Sequence, residues 1–125
     1  MIWRDKLIKM ISVKYSIYGN EGRVLYSQDI RKYGSAAIFF QTQEDADNYP
    51  TLSEITAVDI ERFFPEDMSQ IIQELTKLQS SLISDDDKSY IDEIIRLCKR
   101  CRDSDKGQII FNPFLERVKF DTAKV

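Results

Sequence analysis

Residues 84–114, SDDDKSYIDEIIRLCKRCRDSDKGQIIFNPF, hold a helix and a strand in succession, each marked by its own chemistry. Ser84 followed by Asp85, Asp86 and Asp87 is an N-cap with an acidic first turn. Lys99, Arg100 and Arg102 occupy the last turn, so both ends complement the helix macrodipole. Between them Tyr90, Ile91, Ile94, Ile95, Leu97, Cys98 and Cys101 recur at helical spacing and form one apolar stripe. The spacing predicts a helix over 85–102. Gly107 is a stop or loop residue, Ile109–Phe111 is β-prone, and Asn112 and Pro113 end the run.

Cys98 and Cys101 are the only cysteines, and they continue that stripe at the helix C-terminus, where the dipole opposes a thiolate. Redox CxxC pairs sit at the opposite end of a helix, and a zinc site needs about four ligands. The chain has no histidine to supply the missing ones. Both residues are therefore read as buried structural thiols, with no metal and no cofactor.

Upstream, Met68, Ile71, Ile72, Leu75, Leu78 and Leu82 make a second amphipathic stripe, introduced by Pro65. Thr56, three residues before Asp59, suggests a short helix over about 57–64 that faces Ile60, Phe63 and Phe64 inward. Residues 43–56 read as a loop with a helical turn at Glu44 to Asn48. Nearer the start, Ile11, Val13, Tyr15 and Ile17 alternate with Ser12, Lys14, Ser16 and Tyr18, the period of a half-buried strand. The GNEG turn at 19–22 returns the chain antiparallel through Arg23 to Ser27. The run AAIFFQT at 36–42 reads as a central strand, and residues 1–9 as a loose N-terminal extension. The expected architecture is a single α+β domain, 1–125, with an antiparallel sheet of three or four strands and two or three helices packed on one face.

The 125 residues, 42% of them hydrophobic, suffice for one core and not for a second domain. No apolar run is long enough to span a bilayer, and charges at Arg4, Asp5, Lys6 and Lys9 interrupt the N-terminus, so a soluble cytoplasmic protein without membrane contact is expected. Without histidine there is no Ser-His-Asp or Cys-His triad and no HExxH zinc helix. The dispersed glycines form no phosphate loop. Asp85, Asp86 and Asp87 read as a solvated cap, because consecutive carboxylates diverge around a helix. No catalytic residue is assigned, although a carboxylate enzyme stays open as a reading.

Charge is distributed unevenly. Residues 44–67 hold Glu44, Asp45, Asp47, Glu54, Asp59, Glu61, Glu66 and Asp67 against the lone cation Arg62. Such a patch repels phosphate backbones and attracts basic surfaces, which argues against nucleic acid and for a basic protein partner. The candidate contacts are Glu44, Asp45, Asp47, Glu54, Asp59 and Glu61, with Tyr49 as an aromatic anchor.

A small acidic chain ending in SYIDEIIRLCKRC, a turn and IIFNPFLE resembles immunity proteins of bacterial contact-dependent inhibition and related polymorphic toxin systems. The resemblance covers mainly residues 68–116. It implies a non-enzymatic inhibitor that neutralises a cognate toxin domain, often a nuclease, and it assigns the acidic segment to a basic toxin surface. The alternative is another small protein-binding inhibitor or adaptor, for example one encoded by a phage.

Overall fold

The alternating run near the start of the chain and the apolar run near its end meet at the centre of one sheet. The computed structural model describes residues 10–19, 23–32, 34–56, 58–104 and 106–114. Strand β1 (Ser12–Tyr18) lies between β2 (Val24–Ile30) and β4 (Gly107–Asn112), and β3 (Glu61–Phe63) follows β4. The order is β2-β1-β4-β3, with every neighbouring pair antiparallel. Val13 stands beside Ile30 and Phe111, and Tyr15 beside Gln28 and Ile109, so alternation gives the sheet one largely apolar face.

Three helices close that face: α1 (Ser35–Gln43), α2 (Met68–Ser80) and α3 (Asp85–Arg102). Phe39, Leu75, Ile91 and Ile94 are buried in the same cluster as Val13, Ile109 and Phe111. This is the α+β architecture expected from the sequence, with four strands and three α-helices among the described residues.

Helix α3 has the bounds its caps imply. The Ser84 Oγ accepts from the Asp87 amide at 3.3 Å. Its acidic turn is more than a solvated cap, because Lys32 reaches Asp86 and Asp87, each at 3.1 Å. The hydrogen bonds that Lys32 donates to these carboxylates raise its pKa. At the other end Arg100 donates to Gln28 Oε1 at 2.8 Å and lies 5.1 Å over the Tyr26 ring, which fastens edge strand β2 to the helix. Gly107 is needed where β4 begins, since a Cβ there would stand 2.8 Å from Tyr15 Cε1.

Two expected elements are wrong. Residues 36–42 form α1 rather than a central strand. Gly34, at φ 81°, turns the chain into it, and Ser35, Ala36, Ile38, Phe39 and Thr42 are buried. The Ser35 hydroxyl accepts from the Ile11 amide at 2.9 Å, tying the helix to the start of β1. The expected helix over 57–64 is absent from the described residues 58–64, which contain strand β3. The Thr56 hydroxyl does accept amide hydrogens, from Val58 and Asp59, but this closes a turn that leads into the strand. Phe63 is buried as expected, whereas Ile60 and Phe64 are exposed.

The expected turn of helix at Glu44 to Asn48 is a set of turns, and a 3-10 turn follows at Leu52–Glu54. The expected extension over residues 1–9 and most of the 19–22 turn lie outside the described residues.

Candidate functional site

The acidic segment divides into two places. Glu44, Asp45 and Asp47 are exposed on the turns after α1, where Asn48 donates to Asp45 at 3.0 Å. Glu54, Asp59 and Glu61 come together beside β3. Burial, then the charges of Glu54 and Asp59, raise the Glu61 pKa. Exposed Val58, Ile60 and Phe64 adjoin these carboxylates along the chain, with Ile60 on the Arg62 side of β3. β3 is the last strand of the sheet, so among the described residues its outer backbone edge has no partner strand. It is short and carries Glu61 and Arg62, features that discourage indiscriminate strand pairing.

Tyr49 departs from its expected role as a surface anchor. Its ring is buried in the core, 5.8 Å from Lys77 Nζ, and burial raises its pKa ahead of the charges of Asp45 and Glu74. Near the acidic segment the exposed apolar side chains are Val58, Ile60 and Phe64, which the sequence had placed on a helix.

Two further groups escaped the sequence. Glu74 is 2% exposed within the apolar stripe of α2, where it accepts from the Thr51 amide at 2.9 Å, the Leu52 amide at 2.8 Å and Gln70 Nε2 at 2.7 Å. A carboxylate four residues from one stripe member and one from another is the signal that could have exposed it. The second group lies on the sheet face away from the helices. There Ser12, Lys14, Ser16, Ser27, Arg62 and Asn112 line a concavity of about 210 Å³. The polar half of the β1 alternation was legible, but its burial was not.

Cys98 and Cys101 are free and buried on the α3 stripe. Burial pushes the Cys98 thiol far up. The Cys101 thiol is pushed up to about 11, by burial and then by Asp67 and Glu66. Neither suits thiolate chemistry at neutral pH. Cys98→Ala is expected to cost about 1–2 kcal/mol in chemical denaturation, the loss of a small buried group, and to leave partner binding unchanged. A variant as stable as the parent would contradict the packing role.

Among the described residues no three His, Cys, Asp or Glu side chains gather to hold a metal ion, and no helix is long and apolar enough to cross a membrane. No family model, curated protein or solved structure matches the chain.

Proposed function

We propose that this chain is a non-enzymatic inhibitor, an immunity protein that neutralises a cognate toxin domain, in keeping with a nuclease, by docking its acidic edge on a basic surface. The observation that carries the reading is the grouping of Glu54, Asp59 and Glu61 with exposed Val58, Ile60 and Phe64 along the free edge of β3. A cationic surface would offset the charges that Glu54 and Asp59 place on Glu61, which favours a basic partner. The apolar side chains supply area that excludes water around the charges. An unpaired strand edge also offers main-chain hydrogen bonds to an extended segment of the partner.

The reading expects a toxin gene directly upstream, and the test uses the toxin domain such a gene encodes as the purified partner. Reversing Glu54, Asp59 and Glu61 to lysine should slow association about tenfold or more at low salt and remove most of its salt dependence. The thermal transition of the variant checks that the fold is kept. An association rate indifferent both to the reversal and to salt would sink the acidic edge as the docking surface.

A further inference from the structure

The outer face of the sheet carries polar groups that the fold leaves without partners. Ser12 and Ser16 are each 1% exposed, yet neither hydroxyl has a hydrogen-bond partner among the described residues. Gln108 Oε1, on the β4 residue opposite Ser16, is in the same condition. Buried polar atoms of this kind carry their desolvation penalty without compensation, and three in one neighbourhood of a sheet need a reason. Ser12 and Ser16 line the concavity, so a bound molecule would supply what they lack.

The charge at the concavity specifies the molecule further. Lys14 on β1 and Arg62 on β3 both flank Ile110 of β4 in register, and both line the concavity. Arg62 has no ion-pair partner among the described residues. Lys14 lies 3.9 Å from Asp29, whose carboxylate Arg31 already holds at 3.0 Å. Glu61 alternates to the other side of β3, in register with Phe111, so the strand separates the acidic edge from this cationic rim. Two cations and two hydroxyl donors match an oxyanion.

We infer that this face binds a small oxyanion, its phosphate or carboxylate group held by Lys14, Arg62 and the Ser12 and Ser16 hydroxyls. Ile60 borders both this concavity and the docking edge, so the two sites adjoin; Arg62→Gln and the serine variant test this one, and reversal of Glu54, Asp59 and Glu61 tests the other.

Ribose 5-phosphate and gluconate represent the two sources of the oxyanion, ribose the hydroxyls alone, and potassium chloride at matched ionic strength the effect of screening. Titrated into the isotope-labelled whole chain, one or both anions should shift amides of β1 and β4 saturably and raise the melting temperature by mass action. Saturation by ribose 5-phosphate alone identifies a phosphate, by gluconate alone a carboxylate, and by both a site for oxyanions in general. Arg62→Gln, an exposed change that keeps the fold, should weaken binding about tenfold or more, the loss of a charge-assisted hydrogen bond. Ser12→Ala combined with Ser16→Ala should raise the melting temperature of the free protein while removing the anion response. The inference is overturned if neither anion saturates, if ribose or potassium chloride reproduces the shifts, or if the serine variant binds as tightly as the parent.

Discussion

Replacing Phe111 by alanine is expected to lower stability by about 3–5 kcal/mol. The side chain is fully buried in β4, and its ring meets Phe39 of α1 at 5.6 Å and Phe63 of β3 at 5.8 Å, both edge-on. Each such pair is worth about 0.5–1.5 kcal/mol beyond the area it buries. Alanine would therefore open a cavity between the sheet and α1 and leave β3, only three residues long, without its main side-chain anchor. Domains of this size have about 5–15 kcal/mol in total, so the variant should be close to unfolding at physiological temperature. Denaturant titration reads the loss directly, and Phe111→Leu should recover part of it. A drop below about 1 kcal/mol would mean that the three rings do not form the centre of the core.

Glu74→Ala should cost about 2–4 kcal/mol, because the amides of Thr51 and Leu52 would be left buried or half-buried without an acceptor. These bonds fasten the chain between α1 and β3 to helix α2. Amide hydrogen exchange separates this role from a general effect on stability: the Thr51 and Leu52 amides should lose protection first, while those of α3 follow the global transition. Glu74→Gln keeps an acceptor oxygen and should lose less than the alanine variant. Unchanged protection at both amides in Glu74→Ala would refute the capping role.

The parts of the fold that were legible in the sequence are those where one side faces solvent. Helices α2 and α3 show their stripes because their polar faces are wet; β1 alternates in residue type although its serines are buried. Helix α1 has no such contrast: Ser35, Ala36, Ile38, Phe39 and Thr42 are all buried, so a nine-residue helix reads as a short apolar strand. Strand β3 failed in the opposite direction. It is too short for its period to register, and Thr56, which resembles a helix cap, makes its hydrogen bonds within a turn. The acidic segment was visible as composition, but only folding sets Glu54 beside Glu61 and takes the Tyr49 ring into the core. Burial of Ser12 and Ser16 depends on strands from distant parts of the chain, which no local pattern reveals.

The placement of β1 and β4 side by side also governs how the molecule comes into being. The first and last strands of the described chain form the central pair, as in Tyr15 beside Ile109, so the middle of the sheet is the most non-local contact in the fold. On the ribosome, the β1-β2 hairpin emerges early with one edge of β1 unpaired and nothing to cover its apolar face. It must wait through the synthesis of all three helices before β4 arrives. Closing so long a loop is entropically costly and slow, and assembly is therefore a late, concerted event that begins only when residues 107–112 have left the exit tunnel. Until then the nascent chain depends on chaperones, or on the partial cover of α2 and α3, to keep its exposed strand from pairing with another molecule.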